Sequence, residues 1–219
     1  MFKPRRYIKS EHLESLMRLL LGRDEKGYKN ITVVDLSGIP FEIVEIVVSV
    51  LSRLIFDFNF WNKYKRECPV CVVYEEAHNY IPRSRFSVAK MSVERIAKEG
   101  RKYGVSLIAV SQRPSELSET VLSQCNNFIS LRVSNPDDQN YIKKLVPDQN
   151  AELMNMLSIL RRGEALIIGE AVVMPVRVLI ELPSPTPDSD DIKFFENWNN
   201  GIKDLNVGEV IDRWRKQER

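Results

Sequence analysis

An α/β fold built on a largely parallel sheet is predicted by three observations. Short, β-branched, continuously apolar runs recur from about residue 31 to residue 133. Each is followed by a segment with helical spacing, and the alternation stops only near residue 164. Runs that are apolar throughout suit strands buried on both faces, the environment of a parallel sheet with helices on either side.

The elements follow in order. Leu13, Leu16, Met17 and Leu20 fall at helical spacing between a probable cap, Ser10, and a stop, Gly22, so the first element is an amphipathic helix. Ile31 to Leu36 reads as a strand that leads through Ser37, Gly38 and Pro40 into a long helix from about Glu42. The apolar stretch Ile43 to Trp61 is interrupted by Glu45, Ser49, Arg53, Asp57 and Asn59, so it reads as a buried helix of a soluble protein and no membrane span. Strand and helix then alternate: Val70 to Tyr74 before Ser87 to Tyr103, Val105 to Ser111 before Glu116 to Gln124, and Phe128 to Val133 before Pro136 to Leu145. Asn135 caps the last of these helices, with Pro136 at its first position and Asp137 and Asp138 suiting the helix dipole. Glu164 to Ile168 and Val176 to Leu182 read as a hairpin or two edge strands closing the sheet.

Pro183, Pro185 and Pro187 then form a linker, which sets an expected boundary between a core, 1–182, and a tail, 183–219. In the tail Ile192, Phe195 and Trp198, and then Val207, Val210, Ile211 and Trp214, predict two short helices.

Composition narrows the function classes. A chain of 219 residues, 43% hydrophobic and 28% charged, is long enough to bury a core unaided. A net charge of +2 excludes a polycation, so any nucleic-acid contact must be a local patch. Three cysteines cannot pair completely and no apolar stretch follows the N-terminal charges, which points to the cytoplasm. Cys68 and Cys71 enter a strand with no helix or second pair behind them, so packing is the expected role. With only His12 and His78 there is no histidine metal cluster, and His78 is expected as a hydrogen-bonding residue at a helix start.

Chemistry concentrates in P-V-C-V-V-Y-E-E-A-H-N-Y-I-P, Pro69 to Pro82, where an apolar strand ends in Glu75 and Glu76. Ligands of parallel α/β sheets bind outside the carboxyl ends of the strands. Paired acids there form a Walker B arrangement, the first helping to hold magnesium and the second orienting the attacking water. A plain surface pair at a strand end is the competing reading. The next strand ends in Gln112, Arg113 and Pro114, and an amide in that place can sense a γ-phosphate.

Y-E-E-A-H-N-Y-I-P, K-E-G-R-K-Y-G-V-S-L-I-A-V-S-Q-R-P-S-E-L and V-L-S-Q-C-N-N-F-I-S-L-R-V, with V-V-D-L-S-G-I-P upstream, resemble the HerA branch of the HerA and FtsK superfamily of DNA-translocating ATPases. The resemblance runs from about Ile31 to about Leu182. It implies a RecA-like P-loop NTPase core, ATP and Mg2+ at the interfaces of a hexameric ring, double-stranded DNA as substrate and, in archaeal members, end resection beside a NurA-type nuclease. By position it implies Glu75 at the usual Walker B Asp position, Glu76 as the catalytic acid, Gln112 as sensor with Arg113 beside it at the nucleotide, and Arg101 as a trans-acting arginine finger.

One motif departs from the family. G-x-x-x-x-G-K-[ST], whose backbone amides cradle phosphates while its Lys meets them, does not occur, and the nearest imitation, Gly22 to Lys29, puts Tyr28 where Lys belongs. The chain is therefore expected to be a C-terminal portion, or to receive its phosphate-binding half from another polypeptide, and to be inactive alone. Between Arg83 and Arg113 eight cations stand against two acids, either a solvated helix or a DNA-facing surface; Arg83, Arg85 and Lys90 are the candidates for DNA phosphates. Competing functions are a nucleotide-incompetent assembly module and an ATPase of conjugation or secretion machinery.

Overall fold

The computed structural model describes residues 10–24, 27–145, 153–186, 192–201 and 206–216. The chain divides into two units, Met1–Leu179 and Ile180–Arg219. The first opens with helix α1 (Ser10–Leu20) and a small antiparallel hairpin, β1 (Arg23–Asp24) and β2 (Gly27–Tyr28). Beside this pairing the Lys29 N–H donates to the Gly22 carbonyl at 2.7 Å. Helix α2 (Phe41–Trp61) precedes the central βαβ unit, formed by strand β3 (Val70–Tyr74), helix α3 (Val88–Tyr103) and strand β4 (Val105–Ala109). Strands β3 and β4 are parallel, in register from Val70 with Val105 to Tyr74 with Ala109.

Two glycines set how closely α3 lies against this pair. Gly104 caps the helix with φ +71, which favours a residue without Cβ, and a Cβ there would sit 2.7 Å from the Lys65 carbonyl. A Cβ on Gly100 would stand 2.3 Å from the Val105 carbonyl. At the other end of α3, the Ser87 hydroxyl caps the helix by accepting from the Lys90 N–H.

Four expectations are corrected. Ile31 to Leu36 forms no strand: no described strand lies alongside to complete its ladder, and Ile31 and Val33 are exposed. Only its end is anchored, with Leu36 against the core and the Asp35 carboxylate accepting from the Ser37 N–H at 2.9 Å. The expected helix from Glu116 to Gln124 is instead a 3-10 turn, Pro114–Glu116, and a short helix α4 (Glu119–Ser123). The break arises because the Glu116 carbonyl and the Ser118 N–H are taken by the backbone of Arg83 and Ile81. The third expected parallel strand is β5 (Asn127–Ser130), which pairs antiparallel with β6 (Glu164–Gly169). Strand β7 (Val176–Leu179) completes that antiparallel sheet as a hairpin with β6, so among the described residues parallel pairing is confined to β3 and β4.

The fourth correction concerns cover. Tyr74 and Val105 are buried on the face of the parallel pair that packs with α2 and α3, with Val72, Leu107 and Ala109 half-buried beside them. Alternation turns Cys71, Val73 and Ile108 to the other face, where Val73 remains 57% and Ile108 50% exposed. Likewise α2 is buried along Val44, Val48, Ser52, Phe56 and Asn59 only, and Ile43, Ile46, Val50 and Trp61 are exposed. No helix among the described residues is long and apolar enough to cross a membrane.

Helix α5 (Pro136–Leu145) begins where expected, the Asn135 side-chain oxygen accepting from the Asp137 N–H at 2.9 Å. Its buried Asp138 accepts from the Ser115 N–H at 3.0 Å, which pins the loop after β4 to α5. In the second unit, α6 (Phe194–Asn199) and α7 (Val207–Lys216) carry exposed Phe194, Phe195, Trp198, Val210 and Trp214.

Candidate nucleotide site at the strand ends

The parallel register brings together residues 36 positions apart. Because Tyr74 pairs with Ala109, the chain leaves both strands on the same side: Ala77 N–H donates to the Val110 carbonyl and Val110 N–H to the Tyr74 carbonyl, each at 2.9 Å. The Tyr74 phenol anchors this end from below. It is buried beside Ser52 of α2, whose hydroxyl lies 2.9 Å away, and burial pushes its pKa up to about 12.

Glu75 emerges exposed, and Glu76 turns back over the ends of the strands. Glu76 has φ 48 and ψ 45, the single non-glycine residue with positive φ among those described. A left-handed glutamate is costly, by about 1 to 3 kcal/mol, and persists where surrounding contacts hold it. Here they do: Gln112 Nε2 donates to Glu76 Oε1 at 2.7 Å, while Glu76 Oε2 lies 3.3 Å from His78 Nδ1. His78 Nδ1 is also 3.1 Å from the Ser111 hydroxyl, which accepts from the Arg113 N–H at 3.0 Å. Both carboxylates are felt nearby, since Tyr80 is held above its ordinary pKa by burial first and then by the charges of Glu76 and Glu75.

Glu76 and Gln112 therefore meet at the strand ends, with Glu75 the preceding residue of the same turn. Arg113 turns to Glu116, with Nη1 3.0 Å from its carboxylate. Arg101 stands elsewhere, in the last turn of α3 next to the start of β4, and five strand residues at about 3.3 Å each put it roughly 16 Å along the strands from the acids. Beside it are two shallow concavities of about 570 and 420 Å3 whose lining includes Lys65, Arg66, Lys98, Arg101 and Lys102. Among the described residues none of these five cations enters an ion pair. Lys65 and Lys102 instead approach the Tyr103 ring, at 5.1 and 5.6 Å from its centroid.

The candidate DNA-facing cations are engaged internally. Arg83 pairs with Glu119 and lies over the Tyr141 ring, Arg85 pairs with Glu45, and Lys90 donates to the Arg83 carbonyl at 3.2 Å. The glutamate partners of Arg83 and Arg85 come from α4 and α2, too far away in sequence to be anticipated from local charge counts. Ser111 was also invisible to sequence reasoning; its one signal is that it precedes Gln112 at a strand end.

The donor set suits a hard cation only in part. Glu75 offers one exposed carboxylate, in keeping with magnesium, which retains several waters and takes one or two carboxylates. No group of three or more His, Cys, Asp or Glu side chains that could hold a metal occurs among the described residues. Nothing in the sequence supplies a phosphate-cradling loop.

Comparison with known proteins places the chain in a family. Residues 62–186 match a protein family described as "Helicase HerA-like C-terminal". The DNA double-strand break repair helicase HerA of Sulfurisphaera tokodaii is 34% identical over 188 residues, 84% of this chain and 38% of that protein. The protein of the same name from Pyrococcus furiosus is 41% identical over 139 residues, 60% of this chain and 25% of the relative. The chain thus spans well under half the length of either. Among solved structures, the genome packaging NTPase B204 of Sulfolobus turreted icosahedral virus 2, in complex with ATP-gammaS, superposes with a TM-score of 0.54 at 16% identity. That likeness covers 76% of this chain and 72% of B204, and it speaks to the fold.

Proposed function

Since the chain belongs to the HerA-like helicase C-terminal family, we propose that it contributes the Walker B, sensor and arginine-finger elements of an ATP-driven DNA translocase acting at DNA ends. One observation carries this reading: Glu75 and Glu76 at the end of one parallel strand lie beside Gln112 at the end of the next, joined by the 2.7 Å hydrogen bond to Glu76. In this assignment Glu75 holds Mg2+ through water, Glu76 orients the attacking water, and Gln112 with Arg113 senses the γ-phosphate of ATP. Magnesium with ATP supplies the electrophilic phosphoryl group; this chain positions an acid and an amide around it. The phosphate cradle comes from outside these 219 residues.

Arg101 acts on the nucleotide of a neighbouring copy in a hexameric ring. Its distance along the strands from its own Glu76 supports a trans role, as does its place among unpaired cations. Double-stranded DNA and a NurA-type nuclease are the proposed partners, in the cytoplasm. For Arg83, Arg85 and Lys90 to meet DNA phosphates, two of them must exchange their glutamate partners for phosphate.

The missing G-x-x-x-x-G-K-[ST] favours a second reading, an assembly module that binds no nucleotide. Calorimetry separates the two. The chain alone should bind ATP weakly or not at all, and a P-loop-bearing polypeptide added to it should create magnesium-dependent binding that Glu75→Ala weakens. Tight binding by the chain alone would refute the division of labour, and no gain from Glu75 in the completed assembly would favour the module.

A further inference from the structure

We infer that His78 is the positioning residue of Glu76, carrying a proton on Nδ1 that it shares between the Glu76 carboxylate and Ser111; this rests on the assignment of Glu76 as the water-orienting acid. The argument starts from an unsatisfied atom. Glu76 Oε2 is buried and accepts no hydrogen bond, one of three such side-chain atoms among the described residues. An orphaned carboxylate oxygen is costly, and each such case calls for a partner or a function. His78 Nδ1 lies 3.3 Å from it, on an imidazole whose side chain is only 15% exposed.

Nδ1 can be a bare acceptor or an N–H donor. As an acceptor it would take the Ser111 hydroxyl proton at 3.1 Å while facing Oε2 lone pair to lone pair, leaving that oxygen unpaired. As a donor it meets two acceptors at once. The Ser111 oxygen already receives the Arg113 N–H and has a second lone pair free, while its own proton rotates away. An ionised acceptor forms the stronger bond, so a shift of a few tenths of an ångström aims the Nδ1–H at Glu76 Oε2, the proton staying on nitrogen. The carboxylate is then gripped on both oxygens, by Gln112 on Oε1 and His78 on Oε2.

This grip explains how a glutamate is kept in the left-handed region. The two donors lie on either side of it: Gln112 follows β4, and His78 sits in the 3-10 turn Ala77–Asn79 that the left-handed residue itself begins. Fixing the carboxylate plane matters because displacement of a catalytic group by about 1 Å can lower the rate by about 10²-fold.

The chain contains two histidines, so nitrogen NMR of the full chain labelled with 15N-histidine gives an assignable spectrum. Near pH 8 His78 Nδ1 should show the shift of a protonated nitrogen, and should keep it in Ser111→Ala because Glu76 remains as acceptor. A bare Nδ1 in the wild type, or its loss of the proton in Ser111→Ala, would overturn the inference. No nucleotide is involved, so this result stands apart from the success or failure of the ATPase reading. A second measurement uses covalent geometry: the asparagine Nδ2 occupies the place of histidine Nδ1, whereas the glutamine Nε2 reaches to that of Nε2. In an assembly that hydrolyses ATP, His78→Asn should retain most of kcat and His78→Gln should lose about 10²-fold, with KM little changed in both. Equal losses, or better activity in His78→Gln, would contradict it.

Discussion

Arg101 lies four residues before Val105, where β4 begins, and Gln112 three residues past Ala109, where it ends, so the strand keeps a subunit's proposed finger away from its own proposed sensor. That separation is the residue-scale basis for a role in trans. Rings mixed from Arg101→Ala and Glu76→Gln subunits, each inactive alone, should recover part of the turnover at interfaces that join an intact Glu76 to an intact Arg101. The effect is large enough to read, since arginine fingers are typically worth about 10³ to 10⁵ in rate. No recovery in rings shown to be mixed would refute the trans role. At this scale the sequence made Glu75, Glu76 and Gln112 legible because strand ends and adjacent acids are local features. His78 with Ser111, Arg85 with Glu45 and Arg83 with Glu119 were hidden, since contacts 33 to 40 residues apart depend on how the elements pack.

The same locality governs the elements. Helix α5 starts at its predicted residue because a cap, a proline and two acids specify a helix start without help from elsewhere. The Ile31 to Leu36 segment has comparable β propensity but no strand beside it among the described residues, and it forms none. Residues 116–118 were assigned to a helix because their pattern permits one, but pairing with residues 81–83 claims their backbone. The loop that carries Arg83 and Arg85 is tied down by that same pairing, by Glu119 and by Glu45. Each phosphate neutralised adds about 0.9 to the slope of log affinity against log salt, and a cation that must first leave a glutamate contributes less net binding. In a complete assembly, replacing Arg83, Arg85 and Lys90 by Ala should weaken duplex binding regardless of sequence and reduce that slope by no more than about 2.7. An unchanged slope would make these side chains purely structural, and ATP hydrolysis without DNA should survive the replacement.

For the whole molecule, a parallel pair with one face bare and an apolar helix α2 half exposed depart from the cover that parallel sheets usually have. The chain spans well under half the length of the relatives it matches. In the assembly proposed above, the chain would supply the acids and an amide at one end of the strands and cations without an ion pair among the described residues at the other. The measurement that bears most directly on this account is steady-state ATP turnover, alongside ATP binding, for Glu76→Gln in an assembly completed by a P-loop-bearing polypeptide. Removing only the group that orients water should leave binding near the wild-type level while kcat falls by about 10²-fold or more. Turnover at the wild-type rate in that variant would contradict the assignment of Glu76 and, with it, the reading of this strand end as a nucleotide site.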